Sequence, residues 1–132
     1  MSSRTALLID DEAYFRRFVG EILRRNQVAD VIEASDGSVA LDLFKEHRPA
    51  FVLLDINMPK MDGLETLTAL RRLDPDTPII MLTSVSEEMI VEECVDLGAS
   101  FFLRKDLPAH ELLAKLQEVL AELFHEPNAQ GQ

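Results

Sequence analysis

The sequence has 132 residues, of which 47% are hydrophobic, enough for one compact domain with a sizeable core and too many for an intrinsically disordered chain. Acidic residues outnumber basic residues by 24 to 13, and the net charge of -11 argues against direct binding to nucleic acid or to an anionic membrane. A lone cysteine, Cys94, cannot form an internal disulfide, and the three histidines lack metal-ligand spacing. We therefore expect a cytoplasmic domain with neither a signal peptide nor a membrane span.

Short apolar runs alternate along the chain with longer segments of helical periodicity. The runs that predict strands are Ala6–Ile9, Val31–Ala34, Phe51–Leu54, Ile79–Leu82 and Phe101–Leu103. These runs are continuous rather than alternating, which is typical of strands buried on both faces of a parallel sheet. The intervening segments carry apolar stripes at helical spacing, as at Phe15, Val19 and Ile22.

Start and stop signals divide the helices in the same way. Asp62–Glu65 and Ser84–Glu87 have the spacing of a capping box, Pro108 suits the first turn of the last helix, and Gly98 suits the end of the fourth. Five strand–helix units in succession predict a single doubly wound (βα)5 domain of the flavodoxin-like class, with a parallel sheet of order 2-1-3-4-5. We expect this domain to span residues 4–124, followed by a short disordered tail over residues 125–132.

Polar residues follow the strands at the edge where ligands bind in such sheets. The acidic run Asp10–Glu12 follows the first strand and Asp55 ends the third, and these strands are neighbours in the predicted order. Carboxylates this close repel one another and raise their pKa values unless a cation lies among them, and oxygen ligands favour Mg²⁺. Thr83 at the end of the fourth strand and Lys105 after the fifth add a hydroxyl and an ammonium, a set suited to holding a phosphoryl group.

These residues, taken in order, resemble the receiver domain of two-component response regulators, the CheY-like fold. The resemblance rests on Asp10–Asp11, on Asp-Ile-Asn-Met-Pro-Lys-Met-Asp-Gly over residues 55–63, on Thr83–Ser84 and on Lys105, and it covers nearly the whole chain. It implies that Asp55 is the phosphoacceptor, which takes its phosphoryl group from a phosphohistidine.

The resemblance also assigns roles to the neighbouring residues. It implies that Mg²⁺ is bound by Asp10, Asp11, Asp55 and the backbone carbonyl of Asn57. It implies that Thr83 and Lys105 contact the attached phosphoryl group, and that Phe102 is the switch aromatic that turns inward when Thr83 moves.

The function implied is that of a phosphorylation-controlled signalling switch rather than an enzyme with turnover. Its partners would be a sensor histidine kinase or phosphotransfer protein and a downstream protein target. That target would be contacted through the surface of the fourth helix, fifth strand and fifth helix, which is also the surface for a homodimer. No DNA-binding segment is expected.

Two positions depart from the family pattern. The family usually has proline after the lysine, in a cis peptide bond, whereas Asp106 stands here. A cis bond without proline costs about 3–4 kcal/mol, so we expect a trans or strained loop, with Asp106 as a cap for the last helix. Val85, two positions after Thr83, offers no group to orient an attacking water, which predicts slow autodephosphorylation.

Three alternative functions are compatible with parts of the sequence. A receiver-like interaction module that does not depend on phosphorylation is kept open by Asp106. A small phosphatase or phosphotransferase would need a general acid two residues after Asp55, where Asn57 stands. A flavodoxin-like cofactor binder is disfavoured because the first turn, Asp10–Glu12, is acidic and lacks glycine.

Overall fold

Five strands alternate with five helices along the chain in the computed structural model, which describes residues 4–58, 61–84 and 89–124. The elements are β1 (Thr5–Ile9), α1 (Ala13–Arg25), β2 (Asp30–Ala34), α2 (Gly37–His47), β3 (Phe51–Asp55), α3 (Gly63–Leu73), β4 (Ile79–Thr83), α4 (Val91–Asp96), β5 (Phe101–Arg104) and α5 (Ala109–Leu123). Each strand lies at one of the predicted apolar runs, with ends that differ by one residue at most.

The strands form one parallel sheet in the order β2-β1-β3-β4-β5, as predicted. The central strands β3 and β4 are buried along their whole length. Burial on both faces explains why their sequences are continuous apolar runs, because neither face offers a position at which a polar side chain reaches water. The doubly wound α/β fold is confirmed.

Two separate hydrophobic clusters lie on the two faces of the sheet. Ala6 and Leu8 belong to the cluster beneath α1 and α5, whereas Leu7 and Ile9 belong to the cluster beneath α2, α3 and α4. This division follows from the strand geometry, since successive side chains point to opposite faces. The lone Cys94 is fully buried in the second cluster, as expected for a small apolar residue.

Local signals account for two of the helix boundaries. The Asp62 side chain accepts a hydrogen bond from the Glu65 backbone N–H at 2.9 Å, and the Glu65 side chain accepts one from the Asp62 N–H, so the predicted capping box is present. Gly98 follows α4 with φ of +105°, and its N–H donates to the Val95 carbonyl at 3.0 Å. Glycine adopts this left-handed conformation without a steric penalty, which confirms the predicted helix end.

Other boundary predictions were wrong or fall outside the described residues. The helix α5 begins at Ala109 with Pro108 at its N-cap and no side-chain capping hydrogen bond, so Asp106 does not cap it. The second capping box, Ser84–Glu87, and the tail over residues 125–132 extend outside the described residues. No helix among the described residues is long and apolar enough to cross a bilayer.

Candidate functional site

Three carboxylates converge at the carboxyl edge of the sheet. Because β1 and β3 are neighbours, with Ile9 in register with Leu54, Asp10 directly after β1 lies beside Asp55 at the end of β3. One carboxylate oxygen from each of Asp10, Asp11 and Asp55 lies within 4.8 Å of the others. Asp10 and Asp55 are buried, at 0% and 3% exposure, whereas Asp11 faces solvent. The structure thus brings together the acids that the sequence predicts at this edge.

Lys105, which follows the edge strand β5, also contacts this cluster. Its backbone N–H donates to the Thr83 carbonyl at 2.7 Å, which holds the residue against the end of β4. Its ammonium Nζ lies 2.8 Å from Oδ2 of Asp10, 2.7 Å from Oε1 of Glu12 and 3.5 Å from Oδ2 of Asp55. One ammonium therefore contacts three carboxylates, two of them buried.

Burial and mutual repulsion perturb the pKa values of these groups. The pKa of Asp55 is raised to about 7, first by burial and then by the negative charge of Asp10, with Lys105 opposing both effects. Burial also raises the pKa of Asp10, against the lowering effect of Lys105. Burial by itself would lower the pKa of Lys105, but its contacts with Asp10 and Glu12 outweigh that effect and raise it. One lysine does not neutralise the cluster.

The donor set fits a hard divalent cation. All three acidic side chains present carboxylate oxygens, the ligand type that Mg²⁺ prefers. Oδ2 of Asp10 is buried and has no hydrogen-bond partner, because the Lys105 ammonium approaches it at 2.8 Å with angles outside those of a hydrogen bond. A buried carboxylate oxygen left with one misaligned contact is favourable for an additional cation.

The remaining predicted residues surround the same edge. Asn57 is exposed, and its backbone N–H donates to Oδ1 of Asp55 at 3.3 Å. Thr83 ends β4 and is buried, one residue beyond the Leu82 that pairs with Asp55. Phe102 on β5 is half-buried and packs against the cluster beneath α2, α3 and α4.

An open cleft of about 450 Å³ gives access to the carboxylates from solvent. Its lining includes Asp11, Asp55, Asn57, Ser84 and Lys105. The backbone behind Asp55 is closely packed, since a Cβ at Gly63 would lie 2.5 Å from both the Asp55 carbonyl oxygen and the Ile56 Cα. Glycine therefore allows the start of α3 to pack directly against the end of β3, behind Asp55.

The loop after β5 has a trans bond at Asp106, one of the two forms expected from the sequence. The described residues contain no cis peptide bond, so the Lys105–Asp106 bond is trans. Asp106 forms a two-pronged ion pair with Arg104, at 2.7 and 2.8 Å. This pairing engages the guanidinium of Arg104 with the carboxylate of Asp106.

The sequence does not predict that Glu12 contacts Lys105. Its only sequence signal is its position directly after Asp10 and Asp11, and such acids are ordinarily solvated at a helix start. Its contact with Lys105, 93 residues later, depends on the order of the strands in the sheet.

The order of the parallel strands, the three carboxylates at the carboxyl edge of the sheet and the lysine that contacts them together indicate the class of protein to which this chain belongs. Residues 6–117 match the family model described as the response regulator receiver domain, and the chain belongs to that family of two-component signalling domains. This match confirms the family that was predicted from residues 55–63 together with Asp10–Asp11, Thr83–Ser84 and Lys105.

Individual relatives agree with this assignment. The chain is 33% identical over 114 residues to the chemotaxis protein CheY of Bacillus subtilis, covering 86% of this chain and 95% of that protein. Among solved structures, chemotaxis response regulator CheY4 of Vibrio cholerae matches with a TM-score of 0.79 at 32% identity, covering 89% of this chain and 99% of CheY4. The CheX–CheY–BeF₃–Mg²⁺ complex from Borrelia burgdorferi contains a further match, with a TM-score of 0.75, 28% identity and 88% coverage of both chains.

Proposed function

We propose that this receiver domain is a signalling switch controlled by phosphorylation of Asp55. The observation that carries the proposal is the buried Asp55 carboxylate, which lines an open cleft, lies within 4.8 Å of two further carboxylates and is 3.5 Å from the Lys105 ammonium. The phosphoryl donor is a phosphohistidine on a sensor histidine kinase or phosphotransfer protein. The protein undergoes this modification and does not act as an enzyme with turnover on a separate substrate.

The chemical step transfers one phosphoryl group between two side chains. An Asp55 carboxylate oxygen attacks phosphorus, the new O–P bond forms, and the bond from phosphorus to the histidine nitrogen breaks, leaving the electron pair on that nitrogen. The step requires the ionised form of Asp55, whose pKa of about 7 leaves part of the population protonated at neutral pH. Positive charge near the Asp55 carboxylate lowers its pKa and so increases the ionised fraction, which is the form that can react.

Mg²⁺ is the proposed source of much of that charge. The carboxylates of Asp10, Asp11 and Asp55 and the backbone carbonyl of Asn57 would hold it. When bound, the ion supplies charge that stabilises the ionised carboxylates and the phosphoryl oxygens. Support comes from the oxygen-only donor set and from the buried Oδ2 of Asp10, which accepts no hydrogen bond although the Lys105 ammonium lies 2.8 Å away.

Lys105 and Thr83 are proposed to contact the phosphoryl group after transfer. Lys105 is already within 3.5 Å of Asp55, and its high pKa keeps it charged at any physiological pH. Thr83 has a hydroxyl at the end of the strand next to Asp55. Phe102 is proposed as the switch aromatic that responds to Thr83, since it is half-buried and adjoins Met81 across the β4–β5 pair.

The output is proposed to be a change in protein contacts at the α4–β5–α5 surface, with a downstream protein target or a second copy of the chain. The CheY of Borrelia burgdorferi, to which this chain is similar, forms a complex with the protein CheX. Direct nucleic-acid binding and membrane binding are not proposed, because the net charge of -11 opposes both. The cytoplasmic localisation and the domain limits of residues 4–124 stay predictions.

The test is the intact mass of the purified protein after incubation with a small acyl phosphate and Mg²⁺. We expect one added phosphoryl group, which is absent when the metal is chelated and absent in Asp55→Asn. The control Asp96→Asn removes an exposed acid on α4 and should be phosphorylated like the parent. Phosphorylation of Asp55→Asn to the same extent would overturn the assignment of the acceptor.

A phosphorylation-independent interaction module is the second candidate. The observation that favours it is Asp106 after Lys105, fixed by its ion pair with Arg104 in a loop where the family usually has proline. If neither the acyl phosphate nor a panel of phosphorylated histidine proteins modifies the chain, this candidate replaces the first.

A further inference from the structure

The Lys105 ammonium is bound by an acid that the proposed function does not use. Glu12 Oε1 lies 2.7 Å from Nζ with hydrogen-bond geometry, the shortest of the three carboxylate contacts of this lysine. Glu12 occupies the N-cap position of α1, yet its side chain makes no capping hydrogen bond to that helix. Its carboxylate is directed to Lys105 instead of to the helix backbone.

Hydrogen bonds hold the backbone from which the Glu12 side chain extends. The Glu12 N–H donates to Oδ1 of Asp10 at 2.8 Å, and the Asp10 carbonyl accepts a hydrogen bond from the Arg16 guanidinium at 2.6 Å. The ring of Phe15 lies 4.7 Å from the Lys105 ammonium, on the first turn of the same helix. The start of α1 thus holds Lys105 through both a carboxylate and an aromatic face.

The three acids that contact Lys105 differ in how easily they can release it. Asp10 and Asp55 are buried, with side chains at 0% and 4% exposure, so neither can turn into water. The Glu12 side chain is 56% exposed and can exchange the lysine for solvent at low cost. A phosphoryl group on Asp55 would bring several anionic oxygens to the ammonium, and Glu12 is the partner that would have to give way.

We propose that Glu12 is a positioning residue that holds Lys105 before phosphorylation and competes with the phosphoryl group for it. This inference rests on the proposed function, since the competition needs a phosphoryl group on Asp55. Removing the Glu12 charge frees the ammonium and strengthens its interaction with a bound phosphoryl group. A half-exposed ion pair of this kind corresponds to a change of about two- to five-fold in affinity.

The first experiment examines the metal-free protein and needs no phosphorylation. The lysines of the sequence are Lys45, Lys60, Lys105 and Lys115. In a side-chain ¹⁵N spectrum, Glu12→Gln should shift the Lys105 ammonium signal and speed its hydrogen exchange with water, while the other lysine signals stay in place. An unchanged Lys105 signal would overturn the inference.

The second experiment titrates beryllofluoride, a stable stand-in for the phosphoryl group, in saturating Mg²⁺. Tyr14, the single tyrosine of a sequence without tryptophan, lines the cleft and reports binding by its fluorescence. We expect Glu12→Gln to bind about two- to five-fold more tightly than the parent. The control Glu21→Gln removes one charge from α1 at an exposed ion pair with Arg25, which does not include Lys105.

The outcomes distinguish a failure of the proposed function from a failure of the proposed role of Glu12. If the parent does not bind beryllofluoride, the proposed function fails and the inference fails with it. If the parent binds and Glu12→Gln binds equally, only the role of Glu12 is overturned. If the control Glu21→Gln gains as much as Glu12→Gln, the gain comes from net charge and the specific competition for Lys105 is overturned as well.

Discussion

Replacing Asp55 by asparagine should stabilise the metal-free protein, and the gain should grow with pH. Asp55 is 3% exposed, and its pKa rises from 3.8 to about 7 on folding. Between these two values the folded protein binds a proton that the unfolded chain has lost, so the free energy of unfolding falls as the pH rises through this range. Above pH 7 both states are ionised and the loss is complete.

The pKa change gives the size of the effect. A difference of about three pKa units corresponds to about 4 kcal/mol, since one unit is about 1.4 kcal/mol. Asparagine removes this net penalty, in which the opposing effects of Lys105 and of the Asn57 N–H are already included. We therefore expect Asp55→Asn to be more stable than the parent by about 2–4 kcal/mol at pH 8 and by little near pH 4.

Urea denaturation in a metal chelator, followed by far-ultraviolet circular dichroism, measures this difference across the pH range. Asp10 also has a raised pKa, but it is present in both proteins and contributes to both slopes. Lys105 has a raised pKa and loses its contribution only above its ordinary value of 10.5, outside the window. A variant less stable than the parent at pH 8, or a difference independent of pH, would refute the reasoning.

Three further outcomes follow from features of the backbone and the site. Gly63→Ala should destabilise the fold by about 2 kcal/mol or more in denaturant unfolding, because its Cβ would lie 2.5 Å from the Ile56 Cα. The control Gly20→Ala, inside α1, should be neutral or stabilising by up to about 1 kcal/mol. Equal effects of the two would contradict the close packing. Asp62→Ala should cost about 0.5–2 kcal/mol in the same assay through loss of the capping box, and no loss would show that the cap is redundant. Val85 lies outside the described residues, and the prediction for it rests on the sequence. Because this residue is aliphatic, the phosphorylated protein should lose its phosphoryl group slowly, and a half-life of seconds after donor removal would contradict this.

Sequence patterns were sufficient where the physical cause is local or periodic. The strand Phe51–Asp55 is apolar up to its last residue because both of its faces are covered, and the right-handedness of the crossovers then limits the possible orders of the sheet. Once that order is known, Asp10 and Asp55 must lie side by side. The three-carboxylate cluster was therefore predictable from the sequence before any distance was available.

Contacts between polar residues of ordinary surface type were not predictable in the same way. Glu12 and Lys105 are separated by 93 residues, and each taken alone is more often solvated than paired. Asp106 precedes a proline and a helix, which favours a cap, but a planar guanidinium two residues earlier offers two charge-assisted hydrogen bonds and competes successfully for the carboxylate. Side-chain geometry decides which of these contacts forms, and the periodicity of the sequence carries no information about that geometry.

The separation of the core into two clusters has a consequence for how sequences of this kind diverge. Neighbouring residues of one strand, such as Leu7 and Leu8, belong to different clusters and share few packing partners. Substitutions on opposite faces then have nearly additive effects on stability, so each face can accumulate changes without compensating changes on the other. Either layer of helices can then be rebuilt over evolutionary time while the opposite layer keeps the strands, and with them the acidic edge, in place.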